Sequence, residues 1–229
     1  MTPRLMRLTH CLLAFILGLS IGAQALPVRG EQQAAAQLPA SSQQARGLLQ
    51  AVHTLLDKAP VVKGKFEQLK TVQGFKRPLR STGVFVVARS KGIAWQVQQP
   101  FASTLIVTPD SLQSRDADGA LSTQMNASDE PALRTVNAML FAVMSADVEQ
   151  LQAMFEVSGQ TQGQEWTLHF TPKDALLAGW LGSIDVQGQA FVRRVVLQEV
   201  RGDRSEIRLL DAAGSAELSS ADAALFAVK

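Results

Sequence analysis

The sequence predicts a single α+β domain built on one large antiparallel sheet, and three observations carry that expectation. Short segments rich in Val, Ile and Phe, separated by turn residues, recur along most of the chain. Two other stretches space their apolar residues as a helix does. No repeat of about 20–50 residues, no heptad pattern and no break in composition argues for a second domain. With 229 residues, 46 % hydrophobic and 18 % charged, and a mean hydropathy of +0.07, the chain is long and apolar enough to bury a core. That composition excludes a disordered chain.

The first 25 residues read as a secretory signal peptide. Arg4 and Arg7 form a basic start, Cys11 to Ile21 a short apolar run, and Ala23-Gln24-Ala25 a small-x-small cleavage site. The apolar run falls short of the roughly 18 residues that span a bilayer; a retained anchor is the competing reading. Cys11, behind polar Thr9 and His10, stands too early for a lipidation site. Cleavage after Ala25 removes two of the 22 basic residues and none of the 20 acidic ones, which takes the net charge from +2 to zero. The basic pI therefore belongs to the leader and gives no reason to expect a nucleic-acid partner. The remaining chain has no cysteine and keeps only His53 and His169, so packing rather than disulfides must hold it together. Export without a further membrane segment implies a soluble periplasmic or secreted protein.

Residues 26 to about 44, rich in Gln, Ala, Ser and Pro, read as a flexible arm. A helix from about Ser42 to Lys58 follows, with Leu48, Leu49, Val52, Leu55 and Leu56 on one stripe. Pro60 ends it by pushing its predecessor out of the α region. Strands are expected at Gly64–Val72, Thr82–Arg89, Ile93–Gln98 and Leu105–Thr108, with turns at Gly74, Lys91-Gly92 and Pro109-Asp110. Asp129 and Pro131 then open a second helical region, whose apolar face carries Leu133, Val136, Met139, Leu140, Val143 and Met144. Strands resume at Met154–Ser158, Glu165–Thr171, Ser183–Val186, Phe191–Glu199 and Glu206–Leu210, about ten in all. Hairpin turns fit at Gly159 to Gly163 and at Gly202-Asp203.

A catalytic constellation is not visible. Beyond the expected leader the sequence lacks a G-x-S-x-G elbow, a phosphate-binding glycine loop and an H-E-x-x-H pair. Neither His53 nor His169 has a base or metal ligand at working spacing, so no metal or cofactor is expected and no catalytic residue is nominated. Arg201-Gly202-Asp203 reads as a hairpin turn rather than an adhesion motif, and Arg193-Arg194 as a solvated strand pair.

The informative stretch is Gly83-Val84-Phe85-Val86-Val87-Ala88-Arg89 followed by Ile93-Ala94-Trp95-Gln96-Val97. Period two places Phe85, Val87 and Arg89 on one face, and Ile93, Trp95 and Val97 on one face of the next strand. An arginine aligned with apolar neighbours must find acceptors such as backbone carbonyls, or snorkel from a strand end to solvent.

Around these residues the chain resembles the family of the periplasmic outer-membrane lipoprotein carrier LolA. The resembling pieces, in order, begin with Phe66-Glu67-Gln68, Gly83 to Arg89, and Trp95-Gln96-Val97-Gln98-Gln99-Pro100. Leu105-Ile106-Val107, Leu168-His169-Phe170-Thr171-Pro172-Lys173 and the closing Asp222-Ala223-Ala224-Leu225-Phe226 complete the set. The resemblance implies an incomplete antiparallel β-barrel with helices covering an apolar cavity, formed by residues 45–229. It implies a non-enzymatic, monomeric chaperone that takes lipoprotein acyl chains from an inner-membrane transporter and passes them to an outer-membrane acceptor. Arg89 would hold the helical lid through lid carbonyls. Phe85, Val87, Ile93, Trp95, Val97, Leu105 and Val107 would line the cavity. Met139, Phe141 and Met144 would adapt the lid to acyl chains, unless they are plain helix core.

The chain departs from the family pattern at Ser90, at Thr108-Pro109-Asp110-Ser111 and at Gln113-Ser114-Arg115, and it has no tyrosine. It also stops soon after Phe226, where the family carries a C-terminal extension. These departures resemble the LolA-like subgroup that serves lipid or polyene export. A related module that senses a lipoprotein without transporting it is the other alternative.

Overall fold

The computed structural model describes residues 40–129, 134, 135, 137, 138, 142 and 147–227. The expected leader, the arm up to residue 39 and the positions of Met139, Phe141 and Met144 lie outside the described residues. In the first half, α1 (Ala40–Leu55) precedes β1 (Val61–Thr71), β2 (Leu79–Ala88), β3 (Gly92–Gln99), β4 (Ser103–Val107), β5 (Ser111–Asp116) and β6 (Leu121–Asn126). Helical residues Arg134, Thr135, Asn137, Ala138 and Ala142 lead to α2 (Val148–Met154). The second half runs through β7 (Phe155–Gln162), β8 (Glu165–Pro172), α3 (Ala175–Ala178), β9 (Leu181–Gly188), β10 (Val192–Glu199), β11 (Arg204–Ser215) and α4 (Ser220–Leu225).

All eleven strands join one antiparallel sheet in the order β6-β5-β4-β3-β2-β1-β11-β10-β9-β8-β7. Two meanders, β1–β6 and β7–β11, meet at the long β1–β11 pair, and the sheet does not close on itself. Sequence alternation fixes which residues face inward. Trp166, Leu168 and Phe170 of β8 are buried, and β9 presents Ile184 and Val186 opposite two of them. On this inner face α1 lays Leu49 and Val52, and Leu151 of α2 and Ala142 join the same cluster. The opposite, outer face is covered at Val61, Val86 and Ala94 by Leu218, Leu225 and Phe226 around α4. Lys63 ties α4 down through Asp222 at 3.1 Å.

Four expectations are corrected. The sheet has β5 and β6, which the alternation does not predict, because their sequences SLQSRD and LSTQMN are almost without apolar residues at period two. Leu112 and Met125 alone mark their inner face. The first helix starts at Ala40, so residues 40–44 are helix rather than arm, and it stops at Leu55 instead of Lys58. There Thr54 Oγ1 donates to the Ala51 carbonyl at 2.7 Å, and Asp57 accepts from the Ala59 amide at 2.7 Å. Both bonds offer the backbone an alternative to another helical turn. Strand β7 runs on to Gln162, so its hairpin turns at Gly163 (φ +61°) rather than from Gly159. Helices α2 and α4 are short and capped by Asp147 and Ser219, too brief to leave a periodic stripe in the sequence.

The outer face of β10–β11 gathers one carboxylate among three arginines. Arg194 donates from Nε and Nη2 to Glu206 at 3.0 Å each, while Arg204 and Arg208 approach at 3.2 and 3.3 Å. Those donors, Arg194 first, pull the Glu206 carboxyl down to about 2. Its ordinary value is about 4.3, so its contribution to stability is complete above about pH 5 and is lost as pH falls through 4 towards 2. We therefore expect the melting-temperature gap between wild type and Glu206→Gln to be constant from neutral pH to about pH 5 and to close towards pH 2. A gap that persists at pH 2 would show that the arginine cluster stabilises nothing through this charge.

Candidate functional site

The strand register brings the sequence-predicted face together. Val87, Ile93, Val107, Leu112 and Met125 form one row across five strands, β2 to β6. Phe85, Trp95 and Leu105 form the next row, and Gly83 with Val97 the third. Partners directly across a ladder share a face, so all seven predicted strand residues point the same way. Following the pairs through Phe66, Leu209, Ile207 and Val195 to Val186 shows that this is the inner face, continuous with the one α1 covers. Burial is graded along it. Phe85, Val97 and Val107 are buried, while Val87, Ile93, Trp95 and Leu105 remain partly accessible.

Aromatic packing sets the shape of this face. Phe66 and Trp95 stack with ring centroids 3.8 Å apart and 24° between planes, and Phe85 flanks Trp95 at 6.1 Å. Gly83 makes the stack feasible. A Cβ there would stand 1.9 Å from the Gln96 carbonyl oxygen and 2.8 Å from the Phe66 ring. Only glycine lets the β2 and β3 backbones and that ring approach so closely.

Arg89 lies two residues beyond Val87, at one end of the face. Its Nε donates to the Ala59 carbonyl at 3.0 Å and its Nη2 to the Asp57 carbonyl at 2.9 Å, while its own amide donates to Pro60 at 2.9 Å. The planar guanidinium thus holds two carbonyls of the segment joining α1 to β1, a match to its fixed fork of donors. The early end of α1 is what exposes those carbonyls. Asp57 is tied a second time, its amide donating to Ala190 in the β9–β10 turn at 2.8 Å. Lys58 sits close by, its ammonium donating to the His53 carbonyl. Burial and the Arg89 charge hold its pKa below the usual lysine range.

Two polar groups at the margins of the face escape sequence reasoning. Asn137 is buried and donates from Nδ2 to the Thr108 and Pro109 carbonyls at 2.8 and 3.2 Å, joining its helical segment to the β4–β5 turn. Nothing in a single asparagine within an apolar helix pattern announces such a contact. At the other end of the sheet, Lys70 is buried on the inner face and pairs with Glu199 at 3.0 Å and Asp203 at 3.8 Å. Asp203 also accepts from the Gln73 amide at 2.9 Å. Arg201-Gly202-Asp203 is accordingly a turn, with Gly202 at φ +95° and its aspartate engaged internally.

His169, which has no partner at working spacing in the sequence, meets Asp185 across the β8–β9 pair at 2.7 Å, with Thr171 Oγ1 at 3.4 Å from its other nitrogen. The group lies on the open outer face, with 45 % of the histidine and 49 % of the aspartate side chain in solvent. Nothing encloses a substrate there among the described residues. His53 Nδ1 is buried without a hydrogen-bond partner. Among the described residues no three His, Cys, Asp or Glu side chains gather to hold a metal, and no helix is long and apolar enough to cross a membrane.

A family model described as outer membrane lipoprotein carrier protein LolA-like matches residues 37–228. No curated protein sequence matches the chain. It is similar to the solved structure of a putative outer membrane lipoprotein-sorting protein domain from Vibrio parahaemolyticus, with 8 % identity and a TM-score of 0.47 over 81 % of this chain and 100 % of that one. A LolA superfamily protein from Nitrosomonas europaea is similar at 7 % identity and a TM-score of 0.46, over 80 % and 97 % of the two chains. A Pseudomonas aeruginosa MucA/MucB complex structure is similar at 13 % identity and a TM-score of 0.41, over 82 % of this chain and 61 % of that one. The family assignment rests on the family model, which spans the α1 helix, the whole sheet and α4. The chain belongs to the LolA-like outer membrane lipoprotein carrier protein family.

Proposed function

We propose that this protein is a periplasmic carrier that shields lipoprotein acyl chains, or those of a related lipid, on the inner face of its sheet. It would take them from an inner-membrane donor and deliver them to an outer-membrane acceptor. The observation that carries the reading is the apolar inner face of β2 to β4, extended to β6 by the row through Val107, Leu112 and Met125, beside an arginine that grips the α1–β1 segment. In this reading Arg89, Phe85, Val87, Ile93, Trp95, Val97, Leu105 and Val107 are the working residues, as Met139, Phe141 and Met144 would be on the cover. No chemistry is required of them. Transfer of apolar surface from water supplies the driving force.

Magnitudes constrain the mechanism. An acyl chain of about 14 methylenes gains roughly 11 kcal/mol when fully buried, at about 0.8 kcal/mol per methylene. Two hydrogen bonds from a charged donor contribute about 1.5–3 kcal/mol each. Reforming the Arg89 bonds therefore offsets part of the cargo's binding energy without expelling it into water. Handover must go to another apolar site, with closure biasing the exchange.

The test is binding of a fluorescent fatty acid to delipidated protein, followed by displacement with a diacylated lipopeptide. Leu105→Glu places a carboxylate on the partly accessible inner face, and we expect it to weaken binding by about 50-fold or more while the circular dichroism stays unchanged. Absence of binding, or equal binding by the variant, would remove the acyl site. Displacement by free lipid but not by lipopeptide would move the cargo to a lipid-export role.

A further inference from the structure

Six of the eight large hydrophobic side chains exposed among the described residues stand at one end of the sheet. This end gathers the β1–β2, β3–β4, β5–β6, β8–β9 and β10–β11 connections, and it presents Phe75, Leu79, Phe101, Leu121, Leu176 and Val200. Phe101 is 82 % exposed, Phe75 61 % and Val200 60 %, all grouped on loops at this one end. These loops are not independent. The Val200 amide donates to the Trp180 carbonyl at 2.9 Å, and the Gln73 amide donates to Asp203 at 2.9 Å. The connections after β8, β10 and β1 are thereby linked into one platform.

The charges on this platform are sorted. The carboxylates Glu199 and Asp203 turn inward to Lys70, Asp174 caps α3 by accepting from the Leu176 and Leu177 amides, and Asp118, in the β5–β6 turn beside Asp116, accepts from the Ala120 amide at 3.0 Å. Lys76, Arg77 and Arg201, on the same loops, have no acidic partner among the described residues. Separate apolar tips flanked by unneutralised cations fit an anionic bilayer surface. The tips enter the acyl boundary and the cations meet phosphate head groups. A protein interface would instead present a contiguous, charge-poor apolar core.

We infer that this rim docks the protein on anionic membranes, a property separate from the acyl site on the inner face. Each lysine or arginine near an anionic surface contributes about a fivefold gain in partitioning, and burying the two phenylalanines roughly tenfold or more. The experiment is flotation of the purified protein with vesicles of equal parts phosphatidylglycerol and phosphatidylcholine, against vesicles of phosphatidylcholine alone. The wild type floats with the anionic vesicles and releases as salt rises. Phe75→Ser with Phe101→Ser lowers partitioning at least tenfold, and Lys76→Glu with Arg77→Glu at least 20-fold. All four positions are exposed, so both variants fold. They bind fluorescent fatty acid in the absence of vesicles as the wild type does, which separates this inference from the carrier reading. No flotation of the wild type, equal flotation with neutral vesicles, or unchanged flotation of both variants would overturn it.

Discussion

Arg89→Leu is expected to leave the fold intact while raising the affinity for cargo by about 10- to 100-fold and slowing its release to match. The physical reason lies in which state the lost bonds stabilise. Arg89 holds the carbonyls of Asp57 and Ala59, the residues through which α1 enters β1. If α1 and its neighbours move aside for an acyl chain, those bonds stabilise the empty, closed form and compete with cargo. Removing them shifts the population towards the open form by at least the worth of one such bond, about 1.5–3 kcal/mol. Leucine is compatible with a strand-end site two residues beyond Val87, so global stability falls by no more than those bonds are worth. Hydrogen exchange at the amides of residues 57–59 should quicken together with the slower release of a fluorescent fatty acid. Normal release with normal exchange would mean that Arg89 is only a strand-end arginine bonded to the nearest carbonyls.

Phe66→Ala is expected to cost about 3–5 kcal/mol of stability and to lower the melting temperature by roughly 10–15 °C. Phe66 is 1 % exposed, stacks on Trp95 and lies over Gly83, on the strand that joins the two meanders. Its removal leaves a void that the sheet backbone on both sides cannot fill. Phe66→Leu keeps most of the volume and should lose less than half as much. A loss below about 1 kcal/mol for the alanine variant would show that the two halves are stabilised independently. Thermal unfolding followed by circular dichroism decides between these results.

Alternation alone makes most of the sheet legible in the sequence. Val, Ile and Phe at period two in residues 83–97 and 165–171 announce their strands and also which side chains share a face. The same rule fails for β5 and β6, because strands at a sheet edge pack one side weakly and can be built from Ser, Gln and Arg. Arg89 stands out as the wrong residue type on an apolar face, and its need for acceptors is readable. Which carbonyls it finds depends on α1 ending at Leu55, a matter of Thr54 and Asp57 side-chain bonds that periodicity does not register. Lys70, Glu199 and Asp203 are brought together only by the β1–β11–β10 register, which joins segments far apart in the chain. His169 and Asp185 meet across a strand pair and escape sequence reasoning for the same reason.

The central claim is that the inner face carries acyl chains, and native mass spectrometry of the protein purified without delipidation tests it most directly. Lipid extraction of the same sample identifies whatever is bound. The account predicts an adduct with the mass of a lipoprotein or lipid, absent after delipidation and increased by Arg89→Leu. A protein that emerges empty, and stays empty when offered fatty acid or lipopeptide, would contradict it.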